Sequence, residues 1–561
     1  MEKPWLKFYD EGVPHTLDYP DVPLHWFLEE SARKYPDSIA TVLPGNFGDT
    51  KLTYSELDQL ANRLANALVD MGVEKGDRVG LYMPNCPQFV IAYAAILKAG
   101  AVVMAISPLY SAREVQYQLK DSEAGIVIVL SLFYPMVKQV QLQTKVKKVI
   151  VSNIKEHLAG IDKLLFGLLR EKKEGHKVQL ADGDLWFEEL LEKYPSSSPN
   201  VDVGPDDMAL FQYTGGTTGV PKAAVILHRN LVANALQASA FLPDVKIPEE
   251  IHLAAIPFFH VFGMVAVMAW SMSISAAMIL VTNPRDIDAL LKAINEYRPT
   301  LFMGVPTMYH AINYHPHIDK YDVKSIRACI SGSAPLPMAV KQTFEELTGG
   351  KLVEGYGLTE APTATHCNPV YGMNVEGSIG LPLPDVESKI VDLETGAKDL
   401  PVGEVGELVI WSPNVMKEYW NMPEETAIAL REGWLYTGDI ALMDKKGYFH
   451  IVDRKKDMII ASGLNIYPRE VEDVLHEHPQ IMEAAVAGIP DPKRGEIVKA
   501  WVVLEPGATA TAEEIRDFCR DKLAKYKIPY YIEFRDSLPK TMVGKVLRRS
   551  LTEEEAANQK E

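Results

Sequence analysis

Residues 213–222 read YTGGTTGVPK, which brings glycines, hydroxyl side chains and one lysine into a single short segment. Glycines let backbone N–H groups turn toward anionic oxygens without a Cβ clash, the threonines add short donors, and Lys222 adds a positive charge. The spacing is not that of a Walker A loop, because Val220 and Pro221 separate Gly219 from Lys222 and no hydroxyl residue follows the lysine. The segment therefore predicts a phosphate-binding loop of another type, with an ordinary turn between two strands as the alternative.

Four more motifs follow this loop along the chain, and their order is specific. They are YGLTE at residues 356–360, YTGD at 436–439, DRKKD at 453–457 and PKTMVGK at 539–545. With these motifs in this order, nearly the whole chain resembles the AMP-forming acyl-CoA synthetases, which share their fold with luciferases and with the adenylation domains of peptide synthetases. The sequence TGGTTG, in place of the commoner TSGTTG, is most similar to bacterial long-chain fatty-acid CoA ligases. Ala223 departs from the family, which usually has glycine after the lysine.

Length and residue pattern predict an α/β protein with more than one domain. The chain has 561 residues, which is too long for one hydrophobic core. Of these residues 47% are hydrophobic, which is ample for burial. Helical and strand patterns alternate: a capping box at Thr53 and Glu56 opens a helix that Gly72 ends, a strand follows at 78–83, and a second helix spans 87–98. Such alternation favours a largely parallel sheet.

The net charge of the chain argues against a nucleic-acid-binding protein. The formal net charge is -18, from 57 Lys and Arg against 75 Asp and Glu, which argues against nucleic acid as a partner. The segment 522–549 is nevertheless basic, so we expect it to supply positive charge near ATP, with a solvated charged surface as the alternative.

The four cysteines are far apart and form no Cys-x-x-Cys or zinc spacing, which indicates reduced thiols. Residues 1–7 lack the features of a signal peptide, so we expect a cytoplasmic location.

Two segments bear on membrane contact. Residues 253–284 contain no Asp, Glu, Lys or Arg, but Pro257, His260 and Gly263 interrupt them, so we predict a buried loop followed by a core helix and strand. Residues 155–173 place apolar side chains at helical spacing among basic ones. That pattern suits either peripheral contact with an anionic membrane, at its inner face, or an ordinary amphipathic surface helix.

The resemblance implies a two-step reaction. A carboxylate is a poor acyl donor because its oxide cannot leave, so in this family a fatty carboxylate first attacks the α-phosphate of ATP, giving an acyl-adenylate and pyrophosphate. The thiol of coenzyme A then displaces AMP. The first step brings anions together, so positioned cations and Mg²⁺ must offset their repulsion. Fatty acid, ATP, coenzyme A and Mg²⁺ are the partners that follow, and the sequence is compatible with a monomer or a homodimer.

The resemblance also assigns roles to residues of the motifs. Thr359 would donate toward the α-phosphate, Glu360 would bind Mg²⁺, and Asp439 with Arg454 would hold the ribose. Tyr356 would pack on the adenine. The loop expected to hold the β- and γ-phosphates comprises Thr214, Gly215, Gly216, Thr217, Thr218, Gly219 and Lys222, and the segments beside the nucleotide include Gly332, Ser333, Ala334, Pro335, Gly355 and Gly357.

The final motif supplies the residue on which the first step depends. The family places a lysine, here Lys545, where it bridges the substrate carboxylate and the α-phosphate; a surface lysine is the alternative. The resemblance further implies a large domain, residues 1–453, with parallel-rich sheets flanked by helices, and a small mobile α+β domain, residues 454–561, that rotates between the half-reactions. Lys456 matches the hinge, and Gly463 matches the glycine that keeps the pantetheine channel open.

The acid pocket is less well defined by motifs. His260 lies where the family has a residue near the reacting carboxylate, although a core histidine with satisfied hydrogen bonds fits the sequence equally well. Neighbouring apolar residues suit an acyl tunnel or simply a core. They are Phe258, Phe259, Phe262, Met264, Met268, Phe302 and Met303.

The predicted function is ATP-dependent ligation of a long-chain fatty acid to coenzyme A, and several alternatives stay open. A medium-chain or aryl-CoA ligase would share every ATP motif. An acyl-AMP ligase would pass its acyl group to a carrier protein, and a luciferase-like oxygenase would need a specialised substrate. A non-catalytic binding protein is disfavoured because the charged residues of the motifs are all present: Lys222, Glu360, Asp439, Arg454 and Lys545.

Overall fold

The protein is described by a computed structural model over residues 3–214, 221–461, 464–491, 494–541 and 545–558. Within these residues the strands form four sheets, of nine, eight, five and five strands. The first two sheets are mostly parallel, the third is antiparallel, and the fourth belongs to the C-terminal part of the chain. The prediction of an α/β fold with parallel-rich sheets and a smaller C-terminal α+β domain is confirmed.

The first two sheets contain the strands of the N-terminal part of the chain. In spatial order the first comprises Leu381–Pro382, Ala361–Cys367, Lys351–Leu358, Ala328–Ser331, Leu301–Gly304, Ile251–Ala254, Ala277–Leu280, Ile39–Leu43 and Thr50–Thr53. The second comprises Glu418–Tyr419, Lys222–Leu227, Met208–Thr214, Val102–Ala105, Arg78–Tyr82, Ile126–Leu130, Lys148–Ser152 and Leu185–Trp186. The strand Arg78–Tyr82 ends one residue before its predicted end.

The third and fourth sheets follow later in the chain. The third comprises Glu387–Val391, Gly406–Trp411, Trp434–Met443 and Leu430–Arg431, with Phe449–Arg454 paired to the third of these strands. The fourth comprises Leu464–Ile466, Ile459–Ala461, Gly495–Leu504 and Ile481–Asp491, with Tyr531–Phe534 beside Gly495–Leu504.

Helices connect most of these strands. The α-helices in the described residues are Trp26–Lys34, Tyr54–Asp70, Pro87–Lys98, Ala112–Asp121, Tyr134–Gln141, Gly160–Leu165, Phe187–Lys193, His228–Phe241, Val261–Gly263, Trp270–Ser273, Ile287–Tyr297, Pro306–Asn313, Met338–Thr348, Pro423–Ala429, Pro468–His476, Ala512–Arg520 and Arg548–Asn558. Short 3-10 helices span Pro4–Phe8, Ser131–Phe133, Ile154–His157 and Ile318–Lys320, and π-helical turns span Phe166–Arg170 and Met264–Ala269.

The helices predicted near the N-terminus are present. Helix Tyr54–Asp70 begins at a capping box in which the Glu56 N–H donates to Thr53 Oγ1 at 3.2 Å and the Thr53 N–H donates to Glu56 Oε2 at 2.8 Å. Gly72 follows the helix with a φ of +86°. Helix Pro87–Lys98 has its predicted bounds.

The apolar segment 253–284 lies in the interior, as predicted. After a loop it forms a continuous helical stretch, Val261–Gly263, Met264–Ala269 and Trp270–Ser273, and then the strand Ala277–Leu280. Most of its side chains are buried. Across the described parts of the chain, no helix is both long and apolar enough to span a bilayer.

The N-terminal segment packs against the last strand of the third sheet. Trp5, in the helix Pro4–Phe8, is 1% exposed, and its ring meets that of Phe449 edge to face with centroids 6.3 Å apart. Gly447 precedes this strand with a φ of +91°, and a Cβ there would lie 2.7 Å from the backbone nitrogen of Trp5. The missing side chain at position 447 therefore lets the N-terminal helix lie against the strand Phe449–Arg454.

We expect Gly447→Ala to destabilise the protein more than Gly403→Ala. The two glycines have φ values of +91° and +89°, so both variants carry a similar left-handed strain of about 1–2 kcal/mol. Only at position 447 does the new methyl group meet Trp5, since no atom of the described residues lies within 4 Å of a Cβ at position 403. For a chain of this length, an overpacking cost of about 1–3 kcal/mol should lower the Tm of Gly447→Ala by a further 1–3 °C, as measured by scanning calorimetry. Equal Tm values would contradict this packing.

Candidate active site

A cavity of about 1540 Å³ is lined by residues from all the motifs of the sequence. Its polar part brings together predicted site residues that are hundreds of positions apart in the chain. These residues are Thr214, Lys222, His260, Gly332, Ser333, Gly355, Tyr356, Gly357, Thr359, Glu360, Asp439, Arg454, Lys456 and Lys545.

The other predicted site residues fall into two groups. Ala334 and Pro335 follow Ser333 along the chain but do not border the cavity. Thr214 and Lys222, which do border the cavity, pair across two antiparallel strands at its wall. The second group lies outside the described residues and comprises Gly215, Gly216, Thr217, Thr218, Gly219 and Gly463.

Lys222 is buried at the cavity wall and has two partners. Its ammonium group pairs with the carboxylate of Glu425 and lies 5.1 Å from the ring centroid of Tyr419. The Tyr419 hydroxyl donates to Glu360 Oε1 at 2.7 Å. Burial and the Glu360 carboxylate raise the pKa of Tyr419, so its hydroxyl stays a donor. Lys222 and Glu360, the predicted phosphate and Mg²⁺ ligands, are thus connected through Tyr419.

The Asp439 carboxylate contacts two other predicted nucleotide-binding residues. The antiparallel strands Trp434–Met443 and Phe449–Arg454 place Asp439 opposite Arg454. Arg454 Nε lies 3.2 Å from Asp439 Oδ1, and the Tyr356 hydroxyl donates to Asp439 Oδ2 at 2.5 Å. The Asp439 carboxylate raises the pKa of Arg454, and burial together with Asp439 raises the pKa of Tyr356. The three side chains form one group, held together by an ion pair and a hydrogen bond.

Lys545 enters the cavity from the C-terminal part of the chain. Burial, followed by the neighbouring Arg454 guanidinium, lowers the pKa of its ammonium group to about 8. The two carboxylates that oppose this shift pair with other side chains, Asp439 with Arg454 and Asp457 with Arg548. In the described part of the chain, no carboxylate forms an ion pair with Lys545. Its charge is therefore available to an anion in the cavity.

His260 borders the same space as Lys545. Burial, and then the Lys545 ammonium group, lower the pKa of His260 to about 4, so the imidazole is neutral at pH 7. The Phe262 N–H donates to His260 Nδ1 at 3.2 Å, which places the imidazole proton on Nε2. His260 is thus not a core histidine with both ring nitrogens facing protein, because its side chain also lines the cavity.

The DRKKD motif bonds to the third sheet through its first lysine. Lys455 Nζ lies 2.9 Å from Glu407 Oε2, and the Lys455 N–H donates to the Gly438 carbonyl at 2.9 Å. Glu407 Oε1 accepts from the Gly438 N–H at 3.1 Å. The next residue, Lys456, lines the cavity, and burial lowers the pKa of its ammonium group. These bonds fix the chain immediately before the predicted hinge.

Arg548 joins the same motif to the C-terminal helices. Its guanidinium group donates to Glu472 Oε2 at 2.5 Å and to Asp457 Oδ2 at 3.2 Å. Asp453 accepts from the Arg469 N–H at 2.7 Å, and burial raises the pKa of Asp453 to about 6. The last motif, which contains Lys545, is therefore held next to DRKKD by Arg548.

The opposite end of the cavity is apolar. Of the residues predicted for an acyl tunnel, Phe259, Phe262 and Met303 line it, and a Cβ at Gly332 would lie 3.2 Å from the Phe262 ring. The others are buried in the core and do not border the cavity: Phe258, Met264, Met268 and Phe302. Further apolar lining residues are Ala238, Phe241, Leu242, Val261, Ala266, Trp270 and Ile330.

Several side chains of the site were not identified from the sequence. Arg548 lies three residues beyond Lys545, the last residue of the final motif, and this short separation could have identified it as a neighbour of the site. Tyr419, Glu425, Glu407 and Glu472 lie in no motif, and the sequence contains no signal that singles them out.

Comparison with known proteins agrees with this geometry. The profile of the AMP-binding enzyme family matches residues 28–420, and that of the AMP-binding enzyme C-terminal domain matches residues 470–545. The chain is 45% identical to a long-chain-fatty-acid–CoA ligase of Bacillus subtilis (strain 168), over 99% of each chain.

Two solved structures have the same fold. ATP-bound MatB from Rhodopseudomonas palustris superposes with a TM-score of 0.83 at 30% identity, over 95% of this chain and 99% of that one. The anthranilate CoA ligase AuaEII, in complex with anthranoyl-AMP, superposes with a TM-score of 0.82 at 28% identity, over 96% of this chain and 98% of that one. The chain therefore belongs to the AMP-binding enzyme family.

Proposed function

We propose that the protein activates a long-chain fatty acid with ATP and transfers the acyl group to coenzyme A. The observation that carries this proposal is a single cavity with a charged end and an apolar end. The charged end suits a nucleoside triphosphate, and the apolar end suits a hydrocarbon chain. The name of the Bacillus subtilis relative supports a fatty acid as the substrate. The charged end contains Lys222, Glu360, Asp439, Arg454 and Lys545.

In the first step a carboxylate oxygen of the acid bonds to the α-phosphorus of ATP, and the bond to the β-phosphate oxygen breaks so that pyrophosphate leaves. Two anions approach each other, so a cation between them lowers the barrier. Lys545 suits this place because it borders the cavity, acts electrostatically on His260 and pairs with no described carboxylate. Neutral His260 offers its Nε2–H to the carboxylate, and Thr359 offers its hydroxyl to the α-phosphate.

ATP would displace an internal partner of Lys222. Glu425 pairs with this lysine, and oxygens of the β- and γ-phosphates would take the place of its carboxylate. Glu360 Oε1 accepts from Tyr419, while Oε2 makes no hydrogen bond to the described residues. That oxygen fits a single carboxylate ligand of Mg²⁺, since Mg²⁺ usually takes its other ligands from phosphate and water. Mg²⁺ bound there would neutralise phosphate charge.

In the second step the sulfur of coenzyme A, having lost its proton, attacks the acyl carbon, and the bond to the phosphate oxygen breaks so that AMP leaves. We assign residues 1–453 to the large domain and residues 454–561 to a small domain that rotates at Lys456 between the steps. Lys545 lies in the small domain, so the rotation would withdraw it from the cavity. The withdrawal would open a path for the thiol.

A medium-chain or aryl-CoA ligase is the second candidate, because AuaEII has the same fold. Acyl-CoA and AMP formation from ATP, coenzyme A and a series of acids separates the candidates. Highest activity with acids of about sixteen carbons would support the proposal, since each buried methylene contributes about 0.8 kcal/mol. Highest activity with octanoate or an aromatic acid would support the second candidate. Pyrophosphate release without thioester would indicate transfer to a carrier protein.

Replacing Lys545 with alanine should slow the first step selectively. We expect the rate of adenylate formation to fall by roughly 10²–10³, as for other preorganised charge-stabilising groups. Exchange between ATP and pyrophosphate measures this step. Thioester formation from synthetic acyl-adenylate should change less than about threefold, because Lys545 is then withdrawn. Lys525→Ala, at an exposed lysine of the same domain, is the control. An equal loss of rate in adenylate formation and in thioester formation would contradict the proposed role of Lys545.

The rate of adenylate formation should fall as the pH rises through about 8. Lys545 must be protonated to act as a cation, and its pKa is lowered to about 8 by burial and Arg454. The pH profile of kcat/KM for ATP–pyrophosphate exchange, which reports the free enzyme, should therefore have a basic limb near that value. Lys545→Arg should move this limb upward, because a guanidinium keeps its proton at high pH. A limb at the same pH in both variants would assign the titration to another group.

Filling the apolar end should shorten the preferred acid. Ala266 lines this end on the helical turn before Trp270. In Ala266→Phe the larger side chain should exclude at least two methylenes, which costs about 1.6 kcal/mol and lowers kcat/KM for palmitate more than tenfold. Octanoate provides the internal control, since its kcat/KM should change less than about threefold. A parallel loss for both acids would contradict this placement of the acyl chain.

A further inference from the structure

The segment 416–426 joins two parts of the cavity wall. Its strand Glu418–Tyr419 pairs antiparallel with the strand Lys222–Leu227. Two residues before that strand, the Met416 N–H donates to the backbone carbonyl of Glu360 at 2.7 Å. The segment is therefore bound at the same time to a strand that starts at the cavity wall and to the residue that would hold Mg²⁺.

The same segment supplies a separate partner to each of two opposite charges. Glu425 pairs with the ammonium group of Lys222, and the Tyr419 hydroxyl donates to Glu360 Oε1 at 2.7 Å. Within the described residues, Lys222 and Glu360 form no ion pair with each other, and Glu360 Oε2 accepts no hydrogen bond. A direct pair between them would take the lysine from the phosphates and the carboxylate from the metal ion. The segment keeps the two groups apart.

Tyr419 is itself fixed in place. It is 7% exposed, and its N–H donates to Thr426 Oγ1 at 2.9 Å. The N–H of the next residue, Trp420, donates to the Ala223 carbonyl at 2.8 Å. A buried ring whose backbone is bonded in this way holds its hydroxyl in one position. The Glu360 carboxylate is thus the group that adjusts to the hydroxyl, not the reverse.

We propose that Tyr419 is a positioning residue that orients the Glu360 carboxylate for Mg²⁺. A glutamate side chain has several rotatable bonds, and a hydrogen bond to one carboxylate oxygen orients the other oxygen toward a metal ion. A phenol suits this task better than a lysine or an arginine, because it orients the carboxylate without neutralising its charge. The inference rests on the proposed function, since it takes Glu360 as the ligand of Mg²⁺ bound to ATP.

The affinity of the ATP complex for a metal ion tests the proposal without turnover. Mn²⁺ is titrated into the full-length protein with ATP and without an acid, and free Mn²⁺ is measured by electron paramagnetic resonance. We expect Tyr419→Phe to weaken Mn²⁺ binding about tenfold, since hydrogen-bond partners of metal ligands typically contribute that much. The phenylalanine keeps the ring that the Lys222 ammonium group contacts. Without a divalent metal ion, the affinity for ATP should therefore change less than about twofold.

Tyr134→Phe is the matched control. Tyr134 is 5% exposed and its hydroxyl donates to Asp184 Oδ2 at 2.7 Å, but it does not border the cavity. Both variants lose a hydroxyl that binds a carboxylate, so we expect a similar fall in Tm for the two, and weaker Mn²⁺ binding only for Tyr419→Phe. Equal weakening in both variants would assign the effect to lost stability and overturn the proposal.

Replacing Glu360 shows whether Tyr419 acts through this carboxylate. In Glu360→Ala, the further change Tyr419→Phe should alter Mn²⁺ affinity less than about twofold, because the hydroxyl has lost its acceptor. A further loss of about tenfold would show that Tyr419 acts elsewhere and would overturn its positioning role.

The same titrations separate this inference from the proposed function. Unchanged Mn²⁺ affinity in Tyr419→Phe, with weaker binding in Glu360→Ala, would overturn the positioning role and leave the proposed function standing. Wild-type affinity in Glu360→Ala would show that Glu360 is not the metal ligand, so the proposed metal site and the positioning role would both be wrong.

Discussion

The ion pair between Arg454 and Asp439 is the interaction on which the site depends. It joins opposite residues of two antiparallel strands, and the hydroxyl of Tyr356 connects it to the strand Lys351–Leu358 of the first sheet. Removing Arg454 would leave the buried Asp439 carboxylate without its ion-pair partner, which is strongly destabilising. Arg454 also lowers the pKa of Lys545. The guanidinium that stabilises Asp439 thus helps to set the charge state of the last motif.

Lys545 and Lys456 differ from the other lysines of the cavity in having no carboxylate partner among the described residues. Lys222 pairs with Glu425, and Lys455 pairs with Glu407. Burial of an unpaired ammonium group disfavours the arrangement that places Lys545 in the cavity. Anionic substrates would remove this penalty, and departure of pyrophosphate would restore part of it. The rotation that we propose for the small domain is therefore coupled to the reaction through the charge of Lys545.

The sequence predicted features that depend on nearby residues and missed contacts between distant ones. Thr53 and Glu56 predicted a helix start because both capping partners lie within one turn. The motifs predicted which segments meet at the cavity, but Tyr419 reaches Glu360 from a two-residue strand that carries no motif. Phe258 and Phe259 are equally apolar, yet only Phe259 borders the cavity. In a segment buried on all sides, hydrophobicity does not reveal which side faces a ligand.

The basic segment 522–549 explains why counting charges along a sequence does not locate a positive site. Several of its cations pair with glutamates from outside the segment: Lys527 with Glu470, Lys540 with Glu483, Arg535 with Glu554 and Arg548 with Glu472. Paired charges largely cancel beyond the Debye length of about 8 Å at physiological salt. The potential that an anion meets in the cavity is then set by the few side chains that border it. An acidic protein can bind ATP without a basic face, because local pairing neutralises most of its cations and leaves Lys545 to the substrates.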